Sequence, residues 1–439
     1  MIINFSVKNF KSIKDKIVLS FEASNSKDLE NYYIINPTGK LRLLKLGLIY
    51  GANASGKTTI LEALDFLRYI VLISLEKKTD IFDFKPFLFD NSTKNKNTLL
   101  SIEFVQNETK YSYNVELNKN AIIKEELYFF KPNKALVYKR DTNVSKQLAK
   151  IEFGSKIKIG KESKAALTGN TLWNNTVLAG YLKTNFESVE LQEVTNWFKQ
   201  KLKRLISPKT DLMGYISDKL ESGKIFKRNL IELLKKADLG ISDVNIDIKE
   251  EKVDKEFIKF LSEKSMLPTD EIKKIGEKGK ITIREILFQH LIGNEKYVLE
   301  YGYESAGTKR YYQLSGLLNL MLSSDVIFPV DELESSLHPD LFKHFLLSFL
   351  VNSKKSQLIA TTHHREFFME KDIIRTDSIW FTERKSDGST DLFSLDDFHS
   401  SVIRNTSSIY NAYKTGKLGA TPDLSDYYID LEDEKEKKK

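Results

Sequence analysis

The residues best suited to chemistry are Gly51-Ala52-Asn53-Ala54-Ser55-Gly56-Lys57-Thr58, which match the pattern G-x-x-x-x-G-K-[ST] in full. Glycines in such a loop let the backbone wrap close to an anion. The amides of Gly51, Asn53, Ala54, Ser55 and Gly56, with Thr59 opening the helix behind them, present donors and a positive helix end to phosphates. Lys57 then reaches the β- and γ-phosphates, and the Thr58 hydroxyl holds Mg²⁺. An acidic pair much later in the chain supplies the other half of such a site. Asp325-Val326-Ile327-Phe328-Pro329-Val330-Asp331-Glu332 is an apolar run that ends in two carboxylates. Asp331 suits the metal's water shell. Glu332 suits acceptance of a proton from an attacking water. Read alone, the run is a strand followed by a solvated acidic turn. Pro329 sits awkwardly in it, because proline removes a ladder donor from an expected central strand.

Two more runs qualify. Ser305-Ala306-Gly307-Thr308-Lys309-Arg310 opens an expected helix, where Ser305 and Gly307 make either a second anion site or an ordinary cap. Thr361-Thr362-His363-His364 follows an apolar strand. There His363 is placed either to hydrogen-bond a γ-phosphate or simply to lie on the surface.

The elements that must position these residues follow from periodicity. Leu46–Tyr50 reads as a buried strand into the loop, and Thr59–Leu67 as a helix out of it. Residues 1–23 alternate like an edge hairpin, and 84–138 read as an antiparallel meander. About 160–295 reads as mainly helical, with Val194, Trp197, Phe198, Lys201, Leu202 and Leu205 at helical spacing. Lys249–Lys280 is dense in both charges and reads as a loop. The later part alternates: a helix over 309–322, a strand over 326–330, a helix over 339–351 and a strand over 357–362. That alternation predicts a parallel sheet. The expected organisation is an N-terminal lobe (1–150), a helical insertion (151–295), a C-terminal lobe (296–425) and a charged tail (426–439). The fold class is α/β.

Taken in order, these motifs resemble those of the ABC-like ATPases of the RecF, SMC and overcoming-lysogenization-defect type, within the AAA family. The matching runs are Asn9-Phe10-Lys11-Ser12-Ile13, Gly51–Thr58, Glu304–Arg310 as signature, Asp331-Glu332, Ser335-Ser336-Leu337-His338-Pro339 and His363 as switch histidine. Within that class the chain is similar to stand-alone bacterial anti-phage defence ATPases of the PARIS, RloA-like and abortive-infection kinds. Tyr413–Pro422 resembles that group's C-terminal motif. The resemblance implies a P-loop NTPase of ABC/SMC-head type that hydrolyses ATP with Mg²⁺. It implies a homodimer or higher homo-oligomer in which Ser305 and Gly307 of one copy contact the nucleotide held by the other. Glu332, His363 and Lys57 become the catalytic residues, and Thr58 and Asp331 the metal ligands. No Gln occupies the expected place after the first helix, where Lys85-Pro86-Phe87 stands instead. The implied role is a sensor or scaffold in defence. About 75 residues follow His363, too few for a typical nuclease domain, so the effector is expected on a separate polypeptide. His399 and Arg404 do not by themselves make an active site. The alternative is a RecF- or SMC-like DNA-repair ATPase, with DNA as partner.

Composition bounds the rest. The chain has 439 residues, 41% hydrophobic and 29% charged, as in soluble globular proteins. It has no Cys, which excludes disulfides, structural Cys-zinc sites and thiol catalysis. No run is long enough to cross a bilayer, and the N-terminus lacks a signal peptide's layout, so the expected location is cytoplasmic with no membrane partner. Net charge is +7. Trp197–Lys236 alone holds eleven Lys/Arg against four Asp/Glu. That segment reads either as a solvated helical face or as a patch for nucleic acid or an acidic partner.

Overall fold

Every residue of the strand Leu46–Gly51 is buried, as an apolar run covered on both faces should be. The computed structural model describes residues 1–39, 41–263, 275–398 and 409–422. The charged tail at 426–439 and the pair His399 and Arg404 lie outside the described residues. In chain order the strands are β1 (Ile2–Lys8), β2 (Ile17–Ser20), β3 (Ile34–Thr38), β4 (Leu41–Leu44), β5 (Leu46–Gly51), β6 (Thr98–Gln106), β7 (Thr109–Leu117), β8 (Ile122–Phe130), β9 (Lys134–Asn143), β10 (Leu148–Phe153), β11 (Ile241–Lys252), β12 (Lys280–Ile292), β13 (Glu295–Glu300), β14 (Ile327–Val330), β15 (Gln357–Thr361), β16 (Ile379–Arg384) and β17 (Thr390–Ser394).

The expected parallel sheet is present, ordered β14-β15-β5-β16-β17. Its first four strands are parallel and β17 runs antiparallel to β16. Parallel neighbours need crossovers. The helix Pro339–Asn352 joins β14 to β15, and the helix Lys57–Leu72 leaves β5. Because these strands point the same way, the loops after Gly51, Val330 and Thr361 share one edge of the sheet.

A second, antiparallel sheet runs β10-β9-β8-β7-β6-β1-β2 and contains the expected meander. The N-terminal hairpin differs from expectation. β1 lies between β2 and β6, so β2 alone forms that edge. Ile2, Ile3, Phe5 and Val7 are all buried, which an edge strand with one solvated face would not allow. The helix Lys57–Leu72 buries Ile60, Leu61, Leu64, Leu67 and Ile70 and touches both β1 and β5, so it links the two sheets. Gln357, fully buried, bonds Ile2 and Leu44 across the same junction.

The middle of the chain needs the largest correction. Apart from one more helix, Lys255–Glu263, between β11 and β12, it is helical only as far as Lys236, through helices that include Val189–Asn196, Met213–Glu221 and Lys227–Lys236. It then forms a three-stranded antiparallel sheet, β11-β12-β13. The charged stretch from Lys249 is therefore part of β11 at its start, where Lys249 pairs with Asp247 and with Glu285 of the neighbouring strand. Cross-strand charge pairs hid a strand whose outer half has no apolar alternation. The helix expected through Leu205 also stops early. Trp197–Lys201 is a π-helical turn, and Leu202–Ile206 then runs alongside β14. This segment explains Pro329. Lys203 and Ile206 donate to the Ile327 and Pro329 carbonyls from outside the sheet, so Pro329 turns its missing donor away from β15.

Candidate functional site

The phosphate loop depends on two close approaches that only glycine permits. A Cβ on Gly51 would lie 2.4 Å from Thr382 Oγ1, and one on Gly56 would lie 2.0 Å from Thr390 Oγ1. Gly56 also has φ +103°, in the left-handed region. β16 and β17 thus press on the loop from behind. Ser55 Oγ meets Thr382 Oγ1 at 2.6 Å, so its hydroxyl is turned into the fold, and the residue is 1% exposed. Asn53, Ala54 and Thr58 are exposed at the mouth. Ser12 Oγ donates to Thr59 Oγ1 at 3.2 Å and accepts from Thr390 Oγ1 at 2.8 Å, tying the Asn9–Ile13 run to the loop's helix. The Lys85–Phe87 neighbourhood is held by the same run. Lys85 O accepts from the Lys11 amide, and Phe87 N donates to Asn9 Oδ1.

Lys57 is 6% exposed, and its ammonium donates to Gly51 O at 2.9 Å and Ala52 O at 3.1 Å. Desolvation lowers its pKa, and Asp331, Glu332 and Glu334 oppose that shift. All three acids therefore act on the phosphate-loop lysine. Thr58 Oγ1 donates to Asp331 Oδ2 at 3.0 Å and Oδ1 at 3.1 Å, which brings together residues 273 positions apart. Thr361 Oγ1 donates to Asp331 Oδ1 at 2.5 Å and accepts from Glu332 N at 2.8 Å. Glu332 has φ +46°, a strained value for a residue with a side chain. The bonds from its amide to Thr361 and to its carbonyl from the Ser335 amide hold that conformation. Among the described residues its carboxylate has no hydrogen-bond partner.

His363 stands at the end of β15. Its amide donates to Glu334 Oε1 at 2.6 Å, and the residue keeps solvent access although its imidazole is partly desolvated. Desolvation, and then Lys57, lower the imidazole's pKa, while Glu334, Glu332 and Asp331 pull it up. The loop, Asp331, Glu332 and His363 therefore converge on one sheet edge. Ser305 and Gly307 do not join them by any hydrogen bond among the described residues. Ser305 Oγ accepts from Thr308 N at 3.0 Å and caps the helix Ala306–Ser323. A Cβ on Gly307 would sit 3.1 Å from Ser336 O, in the turn after Glu332. Farther along this helix, Arg310 is 6% exposed, and among the described residues none of its three guanidinium nitrogens has a hydrogen-bond partner.

The residues present fit a Mg-nucleotide. The metal candidates Thr58 and Asp331 offer hard oxygen ligands, and the loop's close backbone approach leaves its outer face to an anion. Sequence reasoning missed Thr361, Thr382, Thr390 and Glu334. Thr361 lay in a run already singled out, but a threonine two residues before a histidine carries no spacing rule that names its partner.

Residues 48–370 match the family model described as "AAA domain, putative AbiEii toxin, Type IV TA system". Similar solved structures include the SMC head domain from Thermotoga maritima, at 12% identity and TM-score 0.41 over 90% of this chain and 98% of that one. An Smc head bound to the C-terminal winged-helix domain of ScpA gives 15% identity and TM-score 0.40 over 90% of this chain and 97% of that one. An Smc head with an extended coiled coil, bound to the C-terminal domain of ScpA from Pyrococcus furiosus, gives 15% and 0.37 over 95% and 98%. No curated protein gives a significant match.

Proposed function

Because the chain belongs to this AAA-domain family, we propose that it is a Mg-ATP-binding and hydrolysing switch that works as a homodimer. In this reading it is the sensor or scaffold of a bacterial anti-phage defence system and controls an effector on a separate polypeptide. The observation that carries the nucleotide part is the Thr58–Asp331–Thr361 hydrogen-bond set beside the free Glu332 carboxylate. Lys57 and the loop amides hold the phosphates, and Thr58 and Asp331 hold the metal. The bound Mg²⁺ supplies charge neutralisation on the phosphates. Glu332 takes the proton of the attacking water, and His363 contacts the γ-phosphate. Ser305 and Gly307 serve the nucleotide of a second copy, which accounts for a capped helix start with no hydrogen bond to its own loop. The alternative, a RecF- or SMC-like DNA-repair ATPase, is favoured by one observation: lysines gather between residues 199 and 224.

The test is the solution mass of Glu332→Gln protein with and without Mg-ATP. Glu332→Gln should bind ATP, hydrolyse it slowly and shift to a larger assembly only with Mg-ATP, while Lys57→Ala should bind none. Turnover of Glu332→Gln at the wild-type rate would remove Glu332 as the base. An unchanged mass would mean that ATP acts within a preformed complex.

A further inference from the structure

The basic excess of Trp197–Lys236 does not stay together in space. Lys227 pairs with Asp243 at 3.0 Å and Lys236 with Glu232 at 3.0 Å, so both are neutralised. Arg204 does not line the cleft where the others gather. Lys199, Lys201, Lys203, Lys219 and Lys224 do, around a cleft of about 730 Å³, a size usual for ligand sites. One acid lines it, Asp325, 3.7 Å from Lys201. The acids of the helix Met213–Glu221 are spent elsewhere, since Asp218 and Glu221 both face Arg284. Among the described residues, the other four lysines are thus left without a carboxylate. Lys203 is pushed down to about 8 by desolvation, then by Lys219, Arg68, Lys201 and Lys224. A fold that crowds cations in this way lowers its free energy when an anion enters.

Position and composition narrow the anion. The cleft reaches Asp325 and Val326 at the amino end of β14, whereas the nucleotide residues stand at its carboxyl end. Phosphate-loop chemistry is therefore elsewhere. Among the lysines the cleft also presents Phe226, which is 57% exposed, and the half-buried Tyr215, over whose ring the Lys219 ammonium lies 5.0 Å from the centroid. Inorganic polyphosphate has no use for rings, and duplex nucleic acid keeps its bases stacked inside. Lysines gathered beside an accessible ring match a chain of phosphates that carries unstacked bases.

We propose that this cleft binds single-stranded nucleic acid, its lysines taking backbone phosphates and Phe226 stacking a base. This ligand class does not depend on the Mg-ATP reading. The test is fluorescence anisotropy of a labelled 20-nucleotide single strand with the full chain, without ATP, between 50 and 200 mM salt. Binding should weaken with salt, as counterion release requires. The exposed double variant Lys199→Glu/Lys224→Glu should lose affinity at least tenfold and flatten the salt slope. Phe226→Ala should lose roughly fivefold or more with the slope kept, because stacking is not screened. Thermal melting of each variant shows whether it is folded. Lys57→Ala should bind the strand as the wild type does. No binding, unchanged affinity in the folded lysine variant, equal competition by a blunt duplex or by tripolyphosphate, or loss in Lys57→Ala would each overturn the assignment.

Discussion

Asp331 takes hydrogen bonds from two hydroxyls, those of Thr58 and Thr361, and neither is a neighbour in sequence. The same cluster acts on the titration of His363. Desolvation and then the Lys57 ammonium hold its imidazole below the ordinary value of 6.5. The unfolded chain therefore takes up a proton at this residue first as pH falls, so acid favours unfolding through this group. Lys57→Ala removes the second cause, and proton NMR should find the His363 ring titrating at higher pH in that variant. An unchanged midpoint would put His363 beyond the reach of Lys57. Arg310 is the opposite case, a buried cation with no hydrogen-bond partner among the described residues. An unpaired buried charge costs more than an apolar side chain of like size. Arg310→Met should raise the stability of the isolated protomer by about 1 kcal/mol or more and weaken Mg-ATP-dependent association. A lower melting temperature would show that the guanidinium already has a partner in the single chain.

At the scale of elements, the helix Ala306–Ser323 connects most of the molecule. Its neighbours include the helices Met213–Glu221, Lys227–Lys236 and Pro339–Asn352. Gly316 sets one of these contacts, since a Cβ there would lie 2.4 Å from the Ile216 side chain. Gly316→Val should overpack this crossing and cost about 1–3 kcal/mol, read as a lower urea midpoint with an unchanged slope. A neutral result would mean that the helix Met213–Glu221 can slide away. The sequence was readable where one period governs one element. Leu46–Gly51, the helix through Leu67, β14 and β15 all lie within a residue or a few of where alternation and apolar runs put them. It misled where a neighbour decides. Trp197, Phe198, Leu202 and Leu205 keep helical spacing, yet Leu202 leaves the helix because β14 offers its carbonyls to Lys203 and Ile206. β11 was hidden because its outer half is held by paired charges instead of an apolar face. The loop, the acidic pair and His363 were legible as motifs, but the hydroxyls that orient them come from strands whose adjacency no local pattern states.

At the scale of the whole molecule, the two proposed sites lie at opposite edges of the parallel sheet. The carboxyl edge gathers the phosphate loop, Asp331, Glu332 and His363, and the amino edge of β14 borders the lysine cleft. The helix Ala306–Ser323 reaches toward both, since Ser305 caps one end and Leu320 and Ser323 line the cleft at the other. Eighteen residues at 1.5 Å each make it a strut about 27 Å long. If both proposed sites bind their ligands, any coupling between them is reciprocal. Whatever factor an oligonucleotide imposes on the Kd for Mg-ATP, Mg-ATP must impose in turn on the Kd for the oligonucleotide. Titrating each ligand at saturating and zero concentrations of the other closes the cycle. Equal factors different from one would make the chain a reciprocal reader of two phosphate-bearing ligands, and factors of one would leave its two edges thermodynamically deaf to each other.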